Sequence, residues 1–284
     1  MGVSEQYAAW VGREESRAEQ VNANAVAAMA ATLDWETAPA EGDALPPGWQ
    51  WLFFNGAVRR RGLGTDGHPQ RGGFLPPIEL PRRMWAGSRI RYVKDLPIGA
   101  QATRHSRILK VENKVGKRGS LWFVTVQHTT VCQQQDCLVE EQDIVYREAT
   151  PVTTAPAEAA KPPRYEGRAQ WGREVQPDTT LLFRYSALTF NGHRIHYDQT
   201  YARHEEGYPD LVVHGPLTAT LLQQFALEHG GERQLASFDF RGVSPLFVAR
   251  PFQLEGREAD DGSVDLWARG PEGELAMSAK ATYR

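Results

Sequence analysis

The pattern of hydrophobic and polar positions predicts a first part of the chain that is rich in strands. Short runs of β-branched and aromatic residues alternate there with polar turns, which is typical of antiparallel strands. The predicted strands are Met84 to Val93, Ala100 to Glu112, Leu121 to Gln133 and Cys137 to Tyr146. Ahead of them, a stretch dense in good helix formers predicts one helix near Asn24 to Leu33.

A long passage rich in proline and glycine separates this helix from the first strand. It covers residues 37–83 and contains Pro46-Pro47, Gly72-Gly73 and Pro76-Pro77. Loops of this length in compact domains are usually functional or disordered, and we expect one of the two here. Further along the chain, residues 116–119 predict a hairpin connection.

The second part of the chain is organised around one helix. The run from Leu211 to Thr220 leads into it, and Gly230-Gly231 predicts its C-terminal end. Its apolar residues recur at helical spacing and predict one buried stripe. This stripe consists of Leu217, Leu221, Leu222 and Phe225.

Strands are predicted on both sides of this helix. Thr179 to Tyr185 predicts a strand before it. The runs after it are Leu235 to Arg241, Pro251 to Glu258, Ser263 to Arg269 and Leu275 to Tyr283. A helix followed by a meander of strands favours the α+β class, with a sheet wrapped round the helix.

A change of composition in the middle predicts two domains. Residues 151–163 are rich in Pro, Ala and Thr without a hydrophobic period, which is typical of an inter-domain linker. The linker separates residues 1–150 from residues 164–284, and each part has the size of a single domain.

Composition and charge limit the classes of protein to consider. The chain has 284 residues, of which 41% are hydrophobic and 24% charged, as in an ordinary globular protein. A net charge of -3 argues against a nucleic-acid binder, whose domain is usually strongly basic. Neither a signal peptide nor an apolar run of about 20 residues is present, so we expect a cytoplasmic protein without a membrane partner.

The two cysteines do not predict a metal site. Cys132 and Cys137 are separated by four polar residues, and a single pair at this spacing is a poor zinc signal. We interpret them as reduced thiols on either side of a hairpin turn. No other residues show the spacing of metal ligands, so we expect no metal.

One segment concentrates residues that can move protons. Asn191, His193, His196 and Asp198 lie within eight positions, and the buried helix begins further along at His214-Gly-Pro-Leu217. The free N–H groups of a first helical turn stabilise developing negative charge. Acid–base chemistry beside an oxyanion site is therefore predicted.

The donors at this helix start are predicted to be the backbone groups of Gly215 or Leu217. Pro216 has no N–H and suits the first helical position. His68, His105 and His128 lie outside the segment and are interpreted as structural or solvated.

The sequence YSALTFNGHRIHYDQTYA, with LVVHGPLTATLL after it, resembles the MaoC-like (R)-specific enoyl-thioester hydratases and dehydratases. The usual pattern of that family is G-D-x-N-P-x-H. Asn191 falls on its aspartate and His196 on its histidine, while His193 and Arg194 replace its Asn and Pro.

FNGHRIHYD is similar to the subgroup that contains mesaconyl-C4-CoA and itaconyl-CoA hydratases and the mitochondrial type-2 3-hydroxyacyl-thioester dehydratase. LPRRMWAGSRIRY and EEQDIVYRE in the first half resemble the same proteins. The resemblance implies two tandem hot-dog folds, each a curled antiparallel sheet around a helix. The N-terminal repeat would shape the thioester groove and the C-terminal repeat would carry catalysis.

Asparagine does not accept a proton at neutral pH, so Asn191 is not expected to be a base. We expect His196 to be the general acid and base, and Asn191 to orient water or substrate. His193 is a second candidate base. Asp198 either fixes the tautomer of a histidine or caps the next helix. His214 either closes the turn before the long helix or takes part in catalysis.

Coenzyme A carries phosphates, and a bidentate arginine suits a phosphate. Arg82 and Arg83 are candidates for that contact, and Arg194 is a candidate partner for a second substrate carboxylate. Coenzyme A would be part of the substrate, so no separate cofactor is expected.

The resemblance implies an enoyl-CoA hydratase, with a C5 dicarboxylate thioester such as mesaconyl-C4-CoA or itaconyl-CoA as substrate. A 3-hydroxyacyl-thioester dehydratase of fatty-acid metabolism is the alternative within the enzymes. A hot-dog thioesterase and a non-catalytic thioester-binding protein also remain open. Two hot-dogs in one chain already form a pair, so both a monomer and a homodimer are compatible with the sequence.

Overall fold

The computed structural model describes residues 6–116, 119–148, 163–165 and 167–284. These residues form one antiparallel sheet, whose strand order is β1-β3-β4-β5-β2-β7-β10-β9-β8-β6. The strands before residue 149 are β1 Glu14–Gln20, β2 Arg82–Tyr92, β3 Gln101–Gly116, β4 Gly119–Cys132 and β5 Gln135–Arg147. The later strands are β6 Trp171–Val175, β7 Leu235–Gly242, β8 Phe252–Glu258, β9 Val264–Arg269 and β10 Leu275–Tyr283.

Four α-helices accompany the sheet in the described part of the chain. They are α1 Ala23–Thr32, α2 Thr179–Leu188, α3 Gln199–His204 and α4 Gly215–His229. The mixture of a large antiparallel sheet with few helices confirms the predicted α+β class. None of these helices is long and apolar enough to cross a membrane.

The two halves of the chain meet where β2 pairs with β7. The pairing runs from Gly87 opposite Arg241 to Arg91 opposite Ser237. At Gly87 a side chain would collide with the backbone carbonyl of Phe240, so glycine is required for this close approach. The sheet therefore continues without interruption from one half into the other.

The long helix α4 packs on strands β7, β8, β9 and β10. Its predicted stripe is confirmed, because all four apolar side chains are buried. They lie in one hydrophobic core with Phe238, Phe252 and Leu254 of the sheet. The helix ends at Gly230, as predicted. This packing fixes the position of the N-terminus of α4, on which the candidate site depends.

The prediction of a strand at Thr179 to Tyr185 is wrong, because these residues begin α2. The Asp178 side chain accepts a hydrogen bond from the N–H of Leu181 and caps the helix. Leu182, Tyr185 and Ser186 are buried at helical spacing on one face. A short apolar run is compatible with either a strand or a helix. Here the N-terminal cap and the buried helical face favour the helix.

The predicted hairpin between the cysteines is confirmed. Gln133 and Gln134 form its turn with positive φ angles of 51° and 62°. Cys132 and Cys137 are both free and buried. Lys117, Arg118 and most of the predicted linker lie outside the described residues, so the domain boundaries remain a prediction.

Candidate active site

The segment that follows α2 folds into a tight loop. Phe190 has a φ angle of 49°, and the Asn191 N–H donates to the Ser186 carbonyl at 2.8 Å. The Asn191 side-chain oxygen accepts the His193 N–H at 3.0 Å. A 3-10 turn, Arg194–His196, then leads into α3. Asn191 therefore holds the backbone that presents the two histidines.

His196 is buried and has a defined tautomer. Its Nδ1 lies 2.7 Å from the Val212 carbonyl oxygen. A carbonyl only accepts hydrogen bonds, so Nδ1 carries the proton and Nε2 is left as an acceptor. Burial lowers the pKa of His196 to about 4, against the raising effect of the Val212 hydrogen bond. His196 is therefore neutral near pH 7 and ready to accept a proton.

Four histidine rings form a continuous contact line, which we call the histidine line. The ring centroids of His196 and His214 are 3.7 Å apart, and those of His193 and His196 are 5.5 Å apart. His68 joins the line from the N-terminal half, with its ring centroid 4.1 Å from that of His193. Burial first, and then repulsion from His68 and His196, lowers the pKa of His193 to about 2.

The place of His68 corrects the sequence interpretation, which put it outside the candidate site. Its Nδ1 lies 3.1 Å from Oδ2 of Asp66, and its backbone N–H donates to Oδ1 of Asp66 at 2.9 Å. Burial lowers the pKa of His68, while the hydrogen bond to Asp66 raises it. The sequence signal was the long passage rich in proline and glycine, which was expected to be either functional or disordered.

The loop that carries His68 is joined backbone to backbone to the motif. Arg194 donates its N–H to the Asp66 carbonyl at 2.9 Å and its Nη1 to the Thr65 carbonyl at 3.0 Å. A side chain at Gly67 would collide with the Gly192 carbonyl, and Gly67 has a φ angle of 86°. The N-terminal half therefore helps to build the candidate site.

The N-terminus of α4 is open next to the histidine line. The first hydrogen bond of the helix joins the Thr218 N–H to the His214 carbonyl at 3.1 Å, so the N–H groups of Gly215 and Leu217 precede it. A Cβ atom at Gly215 would meet nothing within 4 Å. Pro216 is the second helical residue, one position later than predicted. The geometry is compatible with the predicted oxyanion donors.

His214 itself lies inside the protein. Its ring is fully buried, and its Nε2 lies 2.8 Å from the Ser186 hydroxyl. Burial lowers the pKa of His214 well below its usual value. It stacks on His196 and precedes α4 without capping it through its side chain.

Asp198 takes the capping role, one of the two roles expected from the sequence. Its Oδ1 accepts the Tyr201 N–H at 3.0 Å at the start of α3. Its Oδ2 pairs with Arg194 Nη2 at 2.7 Å. The Arg194 guanidinium also lies 4.3 Å from the ring centroid of Tyr201. Arg194 is therefore already partnered, and its contact with a substrate carboxylate remains a prediction.

A cleft of about 920 Å³ lies between the two halves of the chain, where Asp66 and Arg194 line it; the four histidines of the histidine line are not part of its wall. Arg82 and Arg83 both line it, as the prediction of a phosphate contact requires. Arg82 forms an ion pair with Glu206. Other residues of its wall include Thr65, Asp66, Arg71, Arg194, Tyr201 and His204, together with the acidic Glu79 and Glu205.

One group of side chains in the described part of the chain lies close enough together to hold a metal ion. Asp66, His68 and His193 offer ligand atoms within 4.8 Å of one another. The carboxylate of Asp66 is hydrogen-bonded to Nδ1 of His68. The expectation that no metal is needed stays a prediction.

Comparisons with known proteins agree with the resemblance of the motif. A family model described as hydroxyacyl-thioester dehydratase type 2 matches residues 48–248. The mesaconyl-C(4)-CoA hydratase of Chloroflexus aurantiacus is 47% identical over 277 residues, which cover 97% of this chain and 97% of that protein. The matches confirm the predicted relationship.

Solved structures show the same fold. A MaoC-like dehydratase superposes with a TM-score of 0.73 at 15% identity, covering 97% of this chain and 98% of the other. A Mycobacterium tuberculosis protein with a double hot-dog fold has a TM-score of 0.59 at 13% identity, covering 96% of this chain and 96% of its own. The predicted double hot-dog fold is confirmed, and the chain belongs to the hydroxyacyl-thioester dehydratase type 2 family.

Proposed function

We propose that this protein is a hydratase that adds water reversibly across the C=C bond of an enoyl-CoA. The substrate is a C5 dicarboxylate thioester such as mesaconyl-C4-CoA or itaconyl-CoA. The observation that carries the proposal is the 47% identity to a mesaconyl-C(4)-CoA hydratase over nearly the whole chain. The geometry around His196 supports it.

His196 is the general acid and base of this proposal. Its Nε2 accepts a proton from water while the water oxygen bonds to the β-carbon of the enoyl group. The electrons of the C=C bond move toward the thioester carbonyl, and the same proton then returns to the α-carbon. A neutral imidazole with a defined acceptor nitrogen suits this step. His193 remains the second candidate base.

The N-terminus of α4 stabilises the charge that develops on the thioester oxygen. The N–H groups of Gly215 and Leu217 are the proposed donors, and the open space before Gly215 admits the carbonyl. Preorganised donors at a developing oxyanion are usually a large part of catalysis.

The cleft between the two halves is the proposed binding site for coenzyme A and the second carboxylate. Arg83 is the proposed phosphate contact, and Arg194 is the proposed partner of the carboxylate. Arg82 is the less favourable candidate, because its charge is already balanced by Glu206. No further cofactor is proposed.

A 3-hydroxyacyl-thioester dehydratase is the second candidate, supported by the family model that matches this chain. Dehydration is the reverse of hydration at the same site, so the active-site residues do not separate the two. The substrate separates them, since a fatty-acyl chain needs a long apolar tunnel rather than a cleft with several arginines.

We further propose a cytoplasmic monomer or homodimer. The two buried free cysteines support a reducing compartment. A single chain already pairs its two halves through β2 and β7. Sedimentation equilibrium would distinguish a monomer from a dimer.

The test is hydration of three thioesters by the purified protein: mesaconyl-C4-CoA, itaconyl-CoA and crotonyl-CoA. Loss of the enoyl-thioester absorbance is the signal. His196→Ala should abolish turnover, and His105→Ala is the matched control, since His105 is exposed and distant in the chain from the motif. Activity on crotonyl-CoA alone would favour the dehydratase. If the folded protein hydrates none of the three thioesters, the result would favour a thioester-binding protein.

A further inference from the structure

The histidine line contains one acidic contact in the described part of the chain, and it lies at the end that the N-terminal half supplies. Asp66 is hydrogen-bonded to His68. The side chain of His196 is bound to a carbonyl and that of His214 to a hydroxyl. Neither of those two partners carries a charge.

A buried imidazole that takes a proton from water acquires a positive charge with little solvent to stabilise it. Burial disfavours such a charge strongly, and a nearby carboxylate favours it. Asn191 lies two residues before His193, where a carboxylate could supply this charge. Its side chain is an amide and carries no charge. The opposing charge must therefore come from another part of the molecule.

Asp66 is ionised, as a group that stabilises a positively charged imidazole must be. Burial raises its pKa, but the hydrogen bonds from the side chain and the backbone of His68 lower it well below its usual value. The side chain of Asp66 is 27% exposed, so the carboxylate is partly shielded from water. Its backbone carbonyl accepts the Arg194 N–H, which fixes it against the motif.

His68 connects this carboxylate to the rings of the motif. Since a carboxylate only accepts hydrogen bonds, Nδ1 of His68 carries the proton that binds Asp66. Its ring then lies against His193, which contacts His196. The pair is therefore close to the proposed acid and base without touching it. A proton on both ring nitrogens of His68 would repel one on His196 and lower its pKa. Burial lowers the pKa of His68 as well, so His68 is neutral near pH 7 and the net charge of the pair is that of Asp66.

We propose that Asp66 and His68 are positioning residues for the hydration reaction: they supply the negative charge that stabilises the imidazolium form of His196. The inference rests on the proposed function. It gives the N-terminal half an indirect part in the chemistry, through His193, in addition to its part in the substrate cleft.

The test compares Asp66→Asn and His68→Asn with the wild type on the thioester that the wild type hydrates best. We expect kcat to fall about 100-fold in each, the range of a lost contribution to proton transfer. We expect KM to stay within about threefold in His68→Asn, because His68 does not line the proposed substrate cleft. Asp66 does line it, so the comparison of kcat with KM is made on His68→Asn. His68→Asn keeps an N–H near Asp66 and serves as the variant that protects the fold.

Asp260→Asn and His105→Asn are the matched controls, since both positions are exposed and outside the site. Thermal unfolding must show that all four variants are folded. A further substitution, at Asn191, then distinguishes loss of the Asp66 charge from displacement of the loop that carries Asp66. Asn191→Asp keeps the acceptor for the His193 N–H and places a carboxylate at the backbone of that histidine. Added to Asp66→Asn, it should recover kcat by about tenfold.

Three results would overturn the inference. One is a kcat within about threefold of wild type in both single variants of folded protein. Another is an Asp66→Asn/Asn191→Asp double variant no more active than Asp66→Asn. The third is loss of wild-type activity in a chelator with recovery on adding Zn²⁺, which would make Asp66, His68 and His193 metal ligands. An inactive wild type would instead contradict the proposed function.

Discussion

The rings of His196 and His214 lie nearly parallel, with 19° between their planes and 3.7 Å between their centroids. The proposed acid and base therefore packs on a second buried histidine rather than on an apolar side chain. His214 is fixed by the Ser186 hydroxyl, while its Nδ1 has no partner among the described residues. The position of His196 consequently depends on a hydrogen bond that lies behind the site.

Removing the Ser186 hydroxyl should destabilise the protein. Ser186→Ala would leave both nitrogens of a buried ring without partners, which costs about 1–3 kcal/mol in the free energy of unfolding. Urea unfolding of the wild type and of Ser186→Ala measures this loss in the free energy of unfolding. Ser16→Ala is the matched control, because Ser16 forms the same 2.8 Å contact with His105 at an exposed position. Equal losses for the two variants would contradict the prediction.

Gly215→Ala should reduce activity without unfolding the protein. A methyl group there meets no atom within 4 Å, so the fold has room for it. It would occupy the space in which the thioester oxygen approaches the helix, and kcat/KM should fall by about tenfold or more. Gly73→Ala, also free of any contact within 4 Å, should leave kcat/KM unchanged. Full activity of Gly215→Ala would place the oxyanion site elsewhere.

Asp198→Asn should keep its activity, because the structure gives Asp198 the role of a helix cap. Asparagine caps a helix as well as aspartate, so we expect stability close to that of wild type. Asp198→Ala should lose about 1 kcal/mol in the free energy of unfolding. A kcat of Asp198→Asn more than about 100-fold below wild type would instead indicate a catalytic carboxylate.

Acid should destabilise the folded protein through its buried neutral histidines. Burial, assisted by Arg104, lowers the pKa of His128 to about 3, and burial lowers that of His196 to about 4. Between these values and the unfolded pKa near 6.5, only the unfolded chain binds the protons. This stability is present above about pH 6.5 and is lost as pH falls toward 4.

Urea unfolding at pH 7.5, 6.5, 5.5 and 4.5 checks this dependence. Each such histidine contributes a slope of at most about 1.4 kcal/mol per pH unit. His128→Gln removes one ionisable group away from the candidate site, so its free energy of unfolding should fall less steeply with acid. A slope equal to that of wild type would show that His128 is not neutral in the folded state.

Local patterns predicted most of the sheet and the long helix. The bounds of β10 agree with the strand expected at Leu275 to Tyr283, and the buried stripe of α4 follows from helical spacing alone. The edge strand β1 was not predicted, since Glu14–Gln20 is almost wholly polar and has no apolar alternation. Its structure comes from pairing with β3, which local sequence does not reveal.

The candidate site was predicted only in part for a similar reason. His193 and His196 share one short motif, whereas Asp66 and His68 reach it from a distant loop. That loop is placed by the Arg194 backbone contacts and by the glycines at 67 and 192. Such a contact depends on the folded arrangement of the two halves, and neither segment shows it alone.

The position of β10 has a consequence for synthesis on the ribosome. This strand follows β8 and β9 in the chain, yet it lies between β7 and β9 in the sheet. Until it has emerged, β6, β8 and β9 have no hydrogen-bonded link to the strand that joins the N-terminal half. The nascent chain therefore holds two separate pieces of sheet until β10 has been made, and their free edges need protection from aggregation during that time.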